Sequence, residues 1–150
     1  MEELNALYQE ITDQVLAISD FDWEQIVVRF TKDEMHSGIM VYYKINGQYR
    51  TDDELINVNC LDESDFDTTL FNLADSIKKV KRVTQQKVLP EWNNMIFIIK
   101  KEKNYEVRYS FVNWDETSIM DEIVWMYKYL NSMPIEKHMK YIEGVEQTLL

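Results

Sequence analysis

The stretch Gly-Ile-Met-Val-Tyr-Tyr-Lys-Ile-Asn-Gly-Gln-Tyr-Arg, residues 38–50, decides the fold because it joins a strand pattern to a tight turn. Apolar residues alternate along one face of the expected strand: Ile39, Val41, Tyr43 and Ile45. Asn46-Gly47 then tolerates the positive φ that a type I′ turn demands. The chain should fold back there, so that Gln48 to Arg50 pair antiparallel with Tyr43 to Ile45.

Other strand-like stretches extend this hairpin into a larger sheet. Trp23 to Thr31 is rich in β-branched and aromatic residues and precedes the hairpin, which predicts a three-strand meander. Asn94 to Lys100 and Tyr105 to Trp114 have a similar composition and are separated by a polar turn at Glu102 to Asn104. These two stretches predict a second hairpin.

Helical periodicity marks the segments around the strands. From Glu2 to Ser19 the apolar residues recur every three or four positions: Leu4, Leu7, Tyr8, Ile11, Val15 and Ile18. A second helix is expected after an N-cap at Asp62 or Ser64. Its apolar stripe is Phe66, Leu70, Leu73, Ile77 and Val80, and its bases are Lys78, Lys79, Lys81 and Arg82. These bases should lie near the helix end and complement its dipole. Two more helices are predicted, one through Ile119 to Asn131 and one from Pro134.

Together these elements predict an α+β fold in a single domain, residues 1–150. The expected order is α-β-β-β-α-β-β-α-α, with about five antiparallel strands packed with about four helices, because strands joined by tight turns pair antiparallel. A hydrophobic content of 45% in 150 residues supports a core without disulfides or a structural metal. We expect Trp92 and Trp114, at the strand ends, to complete that core.

The charge balance and the cysteine content limit the partners and the compartment. The net charge is −11 and the pI about 4.6, so we expect this surface to bind neither nucleic acid nor an anionic membrane. The residues from Met1 to Asn5 lack the start of a secretory signal, and the longest strongly apolar run, Met95 to Ile99, is too short for a bilayer span. Cys60, the single cysteine, is expected to be a small buried side chain. A cytoplasmic protein is predicted.

No motif indicates a catalytic residue, a cofactor or a metal. The nitrogen and sulfur candidates, His36, His138 and Cys60, have no recognised ligand spacing. Carboxylates alternate from Asp62 onward, but Phe66 interrupts them, and the segment lacks the glycine and the closing Glu of a calcium loop. Helix capping explains this cluster better.

Acidic residues cluster between Thr51 and Thr68, an interval without Lys or Arg. The acids there are Asp52, Asp53, Glu54, Asp62, Glu63, Asp65 and Asp67. One interpretation is a solvated acidic loop that keeps the protein soluble. The other is a docking surface for a basic protein, because complementary charge accelerates association while apolar anchors supply much of the binding free energy.

Landmarks of a known family occur along nearly the whole chain. They are Leu7 to Ile11, Trp23-Glu24, Leu89-Pro90-Glu91-Trp92, Tyr109 to Asp115, Met126 to Leu130 and Pro134-Ile135-Glu136. In this order and spacing they resemble the YezG-like family of bacterial immunity proteins.

This resemblance implies an antitoxin without catalytic residues. It would bind and neutralise the C-terminal toxin domain, often a nuclease, of a protein secreted by the type VII system of Gram-positive bacteria. With the acidic interval, the resemblance makes the seven acids the expected partner-binding residues and Asp115 and Glu116 secondary candidates. Two other classes stay open: a small hydrolase that uses carboxylates or a metal, and a self-associating adaptor protein. The oligomeric state is left open too.

Overall fold

A computed structural model describes residues 2–32, 37–86, 91–102 and 104–111. Its elements follow the expected order, with one additional short helix after the third strand. The elements are α1 (Glu2–Ala17), β1 (Gln25–Lys32), β2 (Ser37–Ile45), β3 (Gln48–Thr51), α2 (Asp52–Asn57), α3 (Glu63–Gln86), β4 (Asn94–Lys100) and β5 (Tyr105–Ser110). The described residues all belong to one compact unit, residues 1–112. The two helices predicted through Ile119 and from Pro134, together with Trp114, lie outside the described residues.

The five described strands form one antiparallel sheet in the order β3-β2-β1-β4-β5. Both predicted hairpins are present, since β2 pairs with β3 and β4 pairs with β5. The meander is completed by β1, which also pairs along its length with β4, so that Val28 lies opposite both Val41 and Phe97. The α+β class and the antiparallel sheet are therefore confirmed.

The turn between β2 and β3 has the predicted backbone. Asn46 has a φ of 52° and Gly47 a φ of 80°, as the two central residues of a type I′ turn require. The Gly47 N–H donates to the Glu24 carboxylate at 3.0 Å. The turn sets the register, with Ile45 opposite Gln48 and Thr51 opposite Tyr42.

The hydrophobic core lies where α1 and α3 pack on one face of the sheet. The core joins Ile11 and Val15 of α1 to Leu73 and Ile77 of α3, and the sheet contributes side chains such as Phe97. Both predicted helical stripes therefore face the core. A polar contact also links the helices, since Gln14 Nε2 donates to Ser76 Oγ at 3.1 Å.

The central strands are also buried on the face that points away from α1 and α3. Val27 and Tyr42 lie opposite each other across β1 and β2, and both are buried outside the main core. Arg29 is buried as well, and its Nε donates to Asn94 Oδ1 at 3.1 Å. Burial on both faces explains why apolar residues follow one another in these strands.

Trp92 completes the core as predicted. It is buried, and its indole Nε1 donates to Thr84 Oγ1 at 2.9 Å. Lys81 lies over the Trp92 ring, with its Nζ 4.6 Å from the centroid. The predicted dipole role of the α3 bases is wrong because the helix continues to Gln86 and its last turn contains no basic residue.

Two boundaries differ from the sequence expectations. The segment that starts at Asp52 is a short helix, α2, and not an acidic loop. The strand β5 ends at Ser110, whereas the prediction extended it to Trp114. Of the predicted extension, only Phe111 is described, and it lies outside the strand.

Replacing Gly47 by Ala should destabilise the fold through backbone strain alone. A Cβ at this position would meet nothing within 4 Å, but the φ of 80° is unfavourable for an L side chain. The free energy of unfolding should fall by about 1 kcal/mol. Urea denaturation followed by circular dichroism measures this change in the free energy of unfolding.

Gly38→Ala is the matched control. Its Cβ would lie 3.9 Å from Thr31 Oγ1, an ordinary contact, and no positive φ is present there. This variant should be at least as stable as the parent chain. Equal losses in the two variants would contradict the assigned role of the turn.

Candidate partner-binding surface

We define the acidic segment as residues 52–67, which contain the seven predicted binding acids. The structure distributes these acids over two helix starts. Asp52, Asp53 and Glu54 form the first turn of α2, and Glu63 and Asp65 lie in the first turn of α3. The secondary candidates Asp115 and Glu116 lie outside the described residues.

The first turn of α2 is fixed by a reciprocal cap. Thr51 has an extended backbone, and its side-chain oxygen accepts from the Glu54 N–H at 3.4 Å. The Thr51 hydroxyl in turn donates to Glu54 Oε1 at 3.4 Å. The pattern Thr-x-x-Glu is a known sequence signal for a helix start. That signal was present in the sequence, but α2 has only six residues and is too short to be detected by periodicity.

The start of α3 is capped by Asp62, one of the two predicted capping residues. Its Oδ2 accepts from the Asp65 N–H at 3.0 Å. The carboxylates at this helix start also interact favourably with its dipole. Asp62 therefore has a structural role. Like Glu63, Asp65 and Asp67, it is also exposed.

The charge of Asp52 interacts with acids of both helices. This side chain is half-buried, and burial raises its pKa above the ordinary value of 3.8. Hydrogen bonds from backbone N–H groups oppose the rise in the pKa, while the charges of Asp53 and Asp67 add to it. The contribution of Asp67 means that acids from α2 and α3 act on one another across the segment.

Asp52 also acts on a buried tyrosine of the sheet. Burial raises the pKa of Tyr43 to about 12, a hydrogen bond with Ser19 opposes this rise, and the charge of Asp52 adds to it. The Tyr43 and Ser19 hydroxyl oxygens are 2.8 Å apart. The acidic segment thus borders the core beneath β2.

One basic residue offsets part of the acidic repulsion. Arg50, just before the base-free interval, lies 3.1 Å from Glu54 in an ion pair whose side chains are both about half exposed. Exposed pairs of this kind contribute at most about 1 kcal/mol. Glu54 is therefore less available to a partner than Asp53, which is exposed beside it.

Two large apolar side chains and a thiol are exposed in or near the acidic segment. Val58, in the loop between α2 and α3, is 64% exposed, and Phe71 on α3 is 79% exposed. Cys60 is exposed too, so its expected burial is wrong. The sequence contains a signal for the exposure of Phe71, because at 100° per residue this side chain lies on the side of the helix opposite to the apolar stripe of α3.

The described part of the chain offers neither a metal centre nor a membrane-spanning helix. No group of three or more His, Cys, Asp or Glu side chains in it is placed to hold a metal ion. None of the helices it contains is long and apolar enough to cross a bilayer.

Comparison with known families gives a match along most of the chain. A family model described as "Immunity protein YezG-like" matches residues 4–143. The chain belongs to this YezG-like immunity protein family. No curated protein matches the chain. Membership of an immunity protein family implies a role in immunity and a cognate toxin as partner, and such proteins are generally not enzymes.

Asp52→Asn should stabilise the protein at neutral pH. At pH 7 the half-buried carboxylate is charged and its burial is unfavourable. Its raised pKa means that the parent chain regains stability as the pH falls through that pKa. The melting temperature should rise by about 2 °C at neutral pH, as expected for a partly exposed group, and the gain should disappear as the pH approaches 3.8.

Asp53→Asn removes the same charge from an exposed site of the same helix turn. Thermal melts of both variants across this pH range separate local burial from general charge loss. The same pH-dependent gain in both variants would contradict the assignment to Asp52.

Proposed function

We propose that this chain neutralises the basic C-terminal domain of a cognate toxin by stoichiometric binding, and that the acidic segment contacts that domain. The observation that supports the proposal most is the exposure of Asp53, Asp65 and Asp67 near the starts of two successive helices in a member of an immunity protein family. The net charge of −11 adds a long-range attraction for a basic partner.

A nuclease is the toxin activity that this charge suits best. Nucleases bind a phosphate backbone and therefore need a basic surface, which also attracts an acidic protein. An inhibitor that covers this surface competes directly with nucleic acid. Complementary charge also raises the association rate by about 10- to 1000-fold, which favours rapid neutralisation.

The resemblance to the family suggests the setting. We infer a toxin secreted by the type VII system of a Gram-positive bacterium, and an inhibitor that acts in the cytoplasm of the producer or of a neighbour. In this proposal, residues 1–150 act as one domain, and Asp115 and Glu116 contribute secondary contacts.

Titration of the toxin tests the stoichiometric mechanism. The candidate toxin domain is the one encoded beside this chain, and its nuclease activity is followed on plasmid DNA with rising amounts of the inhibitor. Inhibition should be complete at equimolar ratio, and co-expression should rescue growth. Full inhibition at a small fraction of the toxin concentration would indicate catalytic inactivation and would overturn the proposal.

Charge reversal tests the assignment of the surface. Asp53, Asp65 and Asp67 are exposed, and their replacement by Lys keeps the caps at Thr51 and Asp62. The association rate with the toxin domain should fall at least about tenfold at low salt, and its salt dependence should weaken. Stopped-flow mixing at two salt concentrations measures both quantities.

The matched control reverses three exposed acids of α1: Glu3, Glu10 and Asp13. It changes the net charge by the same amount on another element. Its association rate should fall less than that of the acidic-segment variant. Equal effects of the two triple variants would show that only the net charge matters and would remove this surface from the proposal.

A further inference from the structure

The solvent side of α3 presents a phenylalanine directly after the acidic segment. Phe71 is 79% exposed, on the side of the helix opposite to the buried stripe of Leu73 and Ile77. Asp67 lies one helical turn before it, about 6 Å along the axis. Asp75 lies one turn after it and forms an exposed ion pair with Lys79 at 3.2 Å.

Exposure alone does not distinguish Phe71, because single apolar side chains are common on protein surfaces. Its neighbours do. In the described ranges, the exposed large apolar side chains are Met40, Val58, Phe71 and Phe111. Val58 lies inside the acidic segment, and Phe71 lies one turn beyond it, next to the exposed Asp67. An aromatic side chain bordered by charge is the usual composition of an interface hot spot and its rim.

We propose that Phe71 is the apolar anchor of the toxin complex. The toxin domain would receive the ring in an apolar pocket bordered by Lys or Arg side chains, and these bases would face Asp67 and the other exposed acids. This inference rests on the proposed function and specifies the chemistry of the partner surface.

Charge complementarity favours a basic protein over a second copy of this chain. Each copy has a net charge of −11, so two copies repel one another over the distance at which a basic domain is attracted. Burial of a phenyl ring then supplies short-range affinity that the exposed acids cannot. The two parts of the surface thus have separate kinetic effects: the acids set the association rate, and Phe71 sets the lifetime of the complex.

Phe71→Ser tests this division of roles. The side chain is exposed, so the variant should fold normally by circular dichroism. Its dissociation rate from the toxin domain should rise at least about tenfold, with an association rate and a salt dependence within about twofold of the parent chain. Phe71→Leu keeps an apolar side chain. Its dissociation rate should lie between the rates of the parent chain and of Phe71→Ser.

Phe111→Ser is the matched control. Phe111 is 65% exposed and follows β5, at the opposite sheet edge from β3. Its replacement should leave the dissociation rate unchanged. Biolayer interferometry with the immobilised toxin domain measures all variants together.

The outcomes separate this inference from the proposed function. A parent chain that neutralises the toxin while Phe71→Ser dissociates at the parent rate would overturn the anchor and leave the proposed function in place. A parent chain that does not bind the toxin would overturn both. Light scattering on the free proteins tests whether a second copy of this chain binds the same face. If the parent chain forms a dimer that Phe71→Ser abolishes, and toxin binding is unchanged, this face serves self-association and the anchor is overturned.

Discussion

The tight turn at Asn46 and Gly47 is the constraint on which the position of the acidic segment depends. It pairs Ile45 with Gln48 and thereby places Thr51 opposite Tyr42, where β3 ends and α2 begins. A shift of one residue would send every β3 side chain to the other face of the sheet. Thr51, the N-cap of α2, would then no longer lie opposite Tyr42, and the first turn of α2 would shift relative to the sheet.

The acidic segment combines groups that stabilise the fold with groups that are available to a partner. Asp62 caps α3 and Glu54 closes the cap of α2, so part of the charge is used within the protein. Asp53, Asp65 and Asp67 are exposed. Asp52 lies between the two classes because burial and neighbouring acids disfavour its charge. Mutual repulsion among exposed acids is a cost in the free protein that the proposed basic partner would relieve, since neutralising charge would lower the energy of the complex.

Local patterns predicted the elements well, and contacts between distant residues could not be predicted from them. Alternation and the Asn-Gly turn identified both hairpins, and the spacing of apolar residues identified α1 and α3. The pairing of β1 with β4 joins stretches about 70 residues apart, and no local signal specifies it. The interaction of Asp52 with Asp67 has the same origin. Cys60 shows the limit of residue preferences, because its place in the loop after α2 exposes a residue type that is usually buried.

The exposed thiol at Cys60 has a practical consequence. It is the single cysteine of the chain, and it follows Asn59, whose left-handed φ of 62° shapes the connection between α2 and α3. A maleimide dye would therefore attach at one known site, without a background to be removed by mutagenesis. Cys60 lies between the two acidic helix starts. The emission of the dye would therefore report changes in the surroundings of this loop without any substitution in the chain.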